Sequence, residues 1–200
     1  MKTIKKNIRP AIVLTLVFTI VTGFLYPGIA TGLSQLIFPY QANGSIHTTS
    51  DGKQVGSDLI GQYWTSARYF HGRPSATLSE TDSSKSEPYN AQNSSASNLG
   101  PTNSTLLKNV QQNVQALQKE NPGTPVPVDL VTASGSGLDP DISVAGALFQ
   151  IPRISKERGL SQEAVKTLVM NHVQGRFLGI LGEDHVNVLD LNLALDALEK

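Results

Sequence analysis

Hydrophobic and polar positions divide this 200-residue chain into an apolar start, a polar middle and a mixed end. From Pro10 to Ser50 there is no charged side chain. Ala11 to Tyr26 alone carries ten Leu, Ile, Val or Phe residues, and the apolar run continues through Gly28 and Ile29 toward Leu33. A helix needs about 20 such residues to cross a bilayer core of about 30 Å. Those ten side chains favour insertion by roughly 3 to 6 kcal/mol before Thr, Gly and Pro are set against them. The pattern predicts a transmembrane helix over 10–33. Lys2, Lys5, Lys6 and Arg9 precede it with no acid, which places residues 1–9 in the cytoplasm and 34–200 outside. The alternative is a cleaved, exported binding protein, with Gly28-Ile29-Ala30 as the cleavage site. The apolar run, however, is longer than the 7–15 residues of a signal core.

Beyond the anchor, Val55, Leu59 and Ile60 alternate with Gly52, Gly56 and Gly61, the punctuation of short strands and turns. From about 72 to 105 Ser, Asn and Thr dominate, which predicts a long irregular loop. Leu106, Leu107, Val110, Val114 and Leu117 then recur at helical spacing, capped by Asn103 or Ser104 and ended at Asn121-Pro122-Gly123. Val126–Thr132 reads as a β-branched strand with Pro127 at its start. Ser143 caps a helix expected to stop at Pro152, and Ser161 caps one carrying Val165, Leu168, Val169 and Val173. Val186-Asn187-Val188 reads as a strand, followed by a helix capped by Asp190 with Leu191, Leu195 and Leu198 inward; alternation to Leu195 leaves strand open there. Strands and helices intermix, so the expected fold is an α/β or α+β domain on a single membrane helix.

Charge and composition narrow the function. The chain has 16 basic and 16 acidic residues and no cysteine. Without the four N-terminal cations the outer portion carries −4, a poor match to nucleic acid. No thiolate nucleophile, disulfide or Cys-ligated zinc is available. The sequence lacks a P-loop, and Gly135-Ser136-Gly137 has Pro140 where a dinucleotide loop needs glycine. Asp139-Pro140-Asp141-Ile142-Ser143 spaces oxygens like a calcium loop but has Val144 and Gln150 where the turn glycine and final Glu belong. Its simpler reading is a helix cap. Ser134 or Ser136 with His172 or His185 would make an anchored serine hydrolase, without a G-x-S-x-G elbow to support it. No catalytic residue and no metal site is assigned. Thr15, Thr19, Thr22 and Gly23 form a small-residue face on the anchor suited to another membrane helix, unless each hydroxyl bonds its own i−4 carbonyl. Tyr69-Phe70-His71-Gly72-Arg73-Pro74-Ser75 has the composition of a recognition turn or of a strand end that fills the core.

Ordered blocks along nearly the whole chain resemble the KdpC family, the single-span members of the bacterial Kdp potassium-transporting ATPase. They include Arg9-Pro10-Ala11, Tyr26-Pro27, Gly56-Ser57-Asp58-Leu59-Ile60-Gly61-Gln62, Tyr69–Ala76, Ser97–Asn103, Val126–Ser134, Gln150-Ile151-Pro152-Arg153 and Val186–Asp196. Asp141 departs from the His that many relatives carry after Asp-Pro. The resemblance implies a non-catalytic accessory subunit that joins a channel-like potassium-selective subunit and a P-type ATPase subunit in the cell membrane. It implies a catalytic chaperone that raises the pump's apparent ATP affinity. No firmly bound cofactor is implied, and ATP in a ternary complex with the pump is the one ligand suggested. Tyr69, Phe70, His71, Arg73 and Asn98 are candidate interface residues, and Gly135, Ser136, Gly137 and Gln150 are candidates for a link to nucleotide.

Overall fold

The computed structural model describes residues 2–49 and 52–198. Met1, Ser50, Asp51, Glu199 and Lys200, which belong to the expected N-terminal segment and outer domain, lie outside the described residues. The chain forms two compact units, Met1–Ile46 and His47–Lys200. The fold is α+β and, among the described residues, one N-terminal helix is long and apolar enough to cross a membrane.

The first unit is helical almost throughout. Helix α1 (Lys2–Ile20) passes through a π-helical turn at Val21–Leu25 into α2 (Tyr26–Ile37). The apolar span is Lys6–Ile37, extending past the expected end at Leu33. Phe38 leaves helical geometry, and a single turn follows, α3 (Pro39–Ala42). The side-chain amides of Gln35 and Asn43 hydrogen-bond reciprocally at 3.1 and 3.3 Å and close this corner. Thr22 Oγ1 donates to Phe18 O at 2.6 Å, the i−4 back-bond that satisfies a hydroxyl in lipid.

Where the second unit begins, β1 (Ile46–Thr48) and β2 (Gln54–Ser57) pair as a small hairpin. Helix α4 (Ser104–Glu120) is capped by Asn103, whose Oδ1 accepts from the Thr105 and Leu106 N–H groups. Only part of its expected apolar face packs inward: Leu117 meets the core while Leu107 stays exposed. A three-stranded antiparallel sheet in the order β3 (Asp141–Ser143), β5 (His185–Asn187), β4 (Val173–Gln174) follows, with Ile142 opposite Val186 and Val173 opposite the same Val186. Helices α5 (Val144–Arg158), α6 (Gln162–Asn171) and α7 (Val188–Ala197) complete the core with Ala147, Phe149, Ile154, Val165, Val169, Leu191 and Leu195.

Several sequence expectations are corrected. Val126–Thr132 is not a strand. It holds a 3-10 turn, Val128–Leu130, that buries Leu130 and aims Asp129 at Ser143, whose N–H and hydroxyl donate to the carboxylate at 2.7 and 3.0 Å. Ser143 in turn caps α5 through Gly146 N–H at 2.9 Å, and Asp129 adds an anion at a helix N-terminus, where the dipole favours it. Helix α5 does not stop at Pro152. An interior proline costs about 3 kcal/mol, but Phe149, Ile151 and Ile154 on the same helix are buried, each worth about 1.5–3 kcal/mol. Side-chain amides of Gln150 and Asn121 donate to the Gly146 and Phe149 carbonyls on the turns before the proline. Val188 opens α7 instead of ending a strand, and the cap is Asn187, which accepts from Asp190 N–H at 3.2 Å, not Asp190. Leu198 lies beyond the helix and is exposed.

Asn192 is a fully buried polar side chain on α7 facing the segment Tyr69–Ser75. Its Oδ1 accepts from Phe70 N–H at 2.8 Å and its Nδ2 donates to Phe70 O at 3.0 Å. Replacing it with alanine leaves a buried donor and a buried acceptor unpaired, each costing about 1–3 kcal/mol. Asn192→Ala is therefore expected to lower the unfolding free energy by about 2–5 kcal/mol in denaturant titration. A change below about 0.5 kcal/mol contradicts the clamp.

Candidate functional site

Two side-chain amides hold the Tyr69–Arg73 backbone the way an adjacent strand would. Asn192 takes Phe70, and Gln150 takes the next residue: Gln150 Oε1 accepts from His71 N–H at 2.8 Å and Nε2 donates to His71 O at 3.1 Å. Arg153 fixes Gln150 by donating from Nη2 to the same Oε1 at 2.7 Å. Its other nitrogens reach Tyr69 O at 2.9 Å, Ala67 O and the Glu120 carboxylate at 2.6 Å. Tyr69 donates to Asp196 at 3.0 Å beneath the Arg158 guanidinium, which stacks 4.7 Å from the ring centre and also pairs with Asp196. Phe70 is fully buried, so it fills the core and offers no side chain to a partner. Arg73 pairs with Asp139 at 2.9 Å, and the Tyr89 hydroxyl donates to Arg73 O at 2.7 Å.

This clamped turn forms one wall of a cleft of about 510 Å³. His71, Arg73 and Gln150 line it together with Trp64, Tyr89 and Glu120. Trp64 Nε1 and Arg73 Nε are buried donors with no partner among the described residues. Both residues line the cleft, while these two atoms are themselves shielded from solvent. Among the described residues, the cleft sets no nucleophile beside a base.

The structure separates other residues that the sequence grouped. Gly135, Ser136 and Gly137 do not line the cleft with Gln150. Gly137 has φ +69° and an added Cβ would meet Thr77 Cγ2 at 2.5 Å; its N–H donates to Ser134 Oγ and its carbonyl accepts from Ser75 Oγ. Ser136 accepts from Leu138 N–H through its hydroxyl and from Ser94 through its carbonyl. These residues pin the long loop 72–105, as do Thr77, Asn90 and Asn93. Asn98 sits in that loop with φ +51° and bonds Ala96 O, apart from the cleft lining. Ser134 and Ser136 do not meet a histidine: His172 donates to Leu168 O and His185 to Glu183 O. The Asp139–Ser143 stretch does not converge on a cation, because Asp139 holds Arg73 and Asp141 N–H while Ser143 caps α5.

One constellation escaped the sequence reading. His47 Nε2 lies against the carboxylates of both Asp58 and Asp190, the latter at 2.8 Å, and the three ligand atoms sit within 4.8 Å of one another. Among the described residues these are the ones that could hold a metal ion. Their wide separation in sequence left no spacing to recognise. Asn192 and Arg153 were missed as well, although an Asn between Leu191 and Leu193 in an apolar helix is a signal of a buried polar contact.

Burial moves two titrations near the site. It pushes the Asp141 carboxyl above its ordinary 3.8, with Asp139 and Asp190 adding to the effect and His185 and Asn187 opposing it. A raised folded value means that ionised Asp141 disfavours the fold at neutral pH, and this disadvantage fades as pH falls through the raised value. Burial, followed by the Arg153 charge, holds His71 below the ordinary 6.5, against the Ser66 carbonyl and Glu120. Stability from neutral His71 is complete above 6.5 and is lost as pH falls toward the lowered folded value. Asp141→Asn is expected to raise the denaturation midpoint at about pH 7.5 and to lose that gain near about pH 4. His71→Gln is expected to flatten the stability loss between about pH 7 and about pH 5; a parallel curve in either variant contradicts its assignment.

Residues 8–197 match the family described as "KdpC: K+-transporting ATPase, c chain". The potassium-transporting ATPase KdpC subunit of Rhodopseudomonas palustris (strain BisB18) is 57% identical over 196 residues, covering 96% of this chain and 98% of the relative. The KdpC subunit of Methylobacterium nodulans is 56% identical over 197 residues, covering 96% and 98%. That of Bradyrhizobium diazoefficiens is 57% identical over 195 residues, covering 96% of each. Agreement over nearly the full length, from the apolar helix through the clamped turn to α7, places this chain in the KdpC family, the c chain of K+-transporting ATPases.

Proposed function

We propose that this chain is the non-catalytic accessory subunit of a high-affinity, ATP-driven potassium-uptake complex. It assembles with the channel-like subunit and the P-type ATPase subunit and raises the pump's apparent affinity for ATP. The carrying observation is full-length membership of the KdpC family together with a single apolar helix, Lys6–Ile37. Lys2, Lys5, Lys6 and Arg9 at its N-terminal end favour a cytoplasmic N-terminus and an extracytoplasmic domain. There the −4 domain favours potassium near the entry path.

An outer domain affects ATP affinity through the pump's conformational equilibrium, which requires different contacts with two pump states. The polar groups of Gly137 and Gln150 are spent within the fold, on Ser134, Ser75 and His71, which supports an indirect role over direct nucleotide binding. Thr15, Thr19, Thr22 and Gly23 supply the membrane contact in this reading. The π turn at Val21–Leu25 contains Gly23, and nothing lies within 4 Å of where its Cβ would be, leaving room for a partner helix.

In purified complexes, omission of this subunit is expected to raise the KM for ATP by about five-fold or more, while the subunit alone turns over no ATP. Unchanged KM contradicts the chaperone role. In sealed vesicles, protease is expected to cleave the domain only from the extracytoplasmic face; cleavage from the cytoplasmic face alone reverses the orientation. Thr19→Leu with Gly23→Leu is expected to reduce recovery of the partner subunits, and full recovery removes the packing face.

A further inference from the structure

The hairpin that joins β4 to β5 ends in a tip that none of the foregoing uses. Arg176 and Glu183 pair across its base at 2.7 Å. Phe177 and Leu181 exchange backbone hydrogen bonds of 2.8 and 3.0 Å, and the Gly179 and Ile180 N–H groups donate back to Arg176 O and Phe177 O. Four N–H groups of the tip are thus bonded within it, which holds it in one shape. That shape turns four large apolar side chains outward: Phe177, Leu178, Ile180 and Leu181 are 69, 77, 73 and 58% exposed. Single exposed apolar residues are ordinary, but a contiguous group of this kind marks a surface that something covers.

Leu178 adds a second, independent observation. Its φ is +53°, in the left-handed region that a Cβ disfavours and that turns normally give to Gly or Asn. A turn that only reversed the chain would need neither the strain nor the leucine. Strain of this sort persists where the surrounding structure over-determines it and a function uses it.

We infer that this tip is a docking knob that enters an apolar pocket, neutral or basic at its rim, on another protein subunit of the potassium-transporting ATPase. The inference rests on the reading of the chain as a subunit of that complex. Charge favours a protein over lipid: Arg176 is neutralised by Glu183, and exposed Asp184 leaves the rim acidic, whereas an apolar loop that enters anionic lipid carries surplus Lys or Arg. The internally bonded tip loses little conformational freedom on docking, as interface anchors require.

The test uses the full chain co-produced with the rest of the complex in its membrane, with a photo-crosslinking residue substituted at Ile180. The expected product joins this chain to another ATPase subunit, identified by mass spectrometry. A product with lipid or with a second copy of this chain, or no product, overturns the inference. In parallel, Leu178→Gly with Ile180→Asp is expected to reduce recovery of the other subunits at least three-fold while the domain's thermal midpoint holds, because glycine suits the positive φ. Recovery at the unsubstituted level overturns the knob alone. If the unsubstituted chain itself recovers no partner, the subunit reading falls and takes this inference with it.

Discussion

The requirement that buried backbone groups be paired governs the domain. The segment from Tyr69 to Arg73 is half-buried, with Phe70 wholly inside, and belongs to no sheet, so its N–H and C=O groups have no ladder to join. Asn192 and Gln150 answer that need from two helices, each amide presenting one donor and one acceptor to a single residue. Arg153 then locks Gln150, and Arg158 and Asp196 lock Tyr69. Because the partners come from α5 and α7, the same contacts that satisfy the turn also fasten those helices to it.

The same clamp shapes the cleft. His71 lines it with its backbone held by Gln150, and Arg73 lines it with its carbonyl held by Tyr89 and its guanidinium by Asp139. A turn so constrained offers a cleft wall of fixed shape.

Polar pins also explain why the long 72–105 segment is irregular but tied down. It has too few apolar residues to bury a face, and the hydroxyls and amides of Ser75, Thr77, Asn90 and Asn93 take up backbone groups in place of packing. Glycine at position 137 is required there because the loop passes within van der Waals contact of it at a positive φ.

Features set by near neighbours in the chain were legible from the amino acids alone. The apolar run dictated a membrane-length helix, and Asn103, Ser143 and Ser161 dictated helix starts, since a cap depends on residues two or three positions away. Features decided by distant partners were not. Pro152 reads as a stop until the burial of Ile151 and Ile154 and the amides of Asn121 and Gln150 are known. Val126–Thr132 has strand composition but finds no strand to pair with, and Gln150 reads as a ligand residue until His71 lies beside it. His47, Asp58 and Asp190 share no spacing, and only the folding of β1 and α7 around the 58 region brings them together. Local propensity is written in the sequence; which buried polar group meets which is a property of the packed chain, because that pairing depends on distance in space.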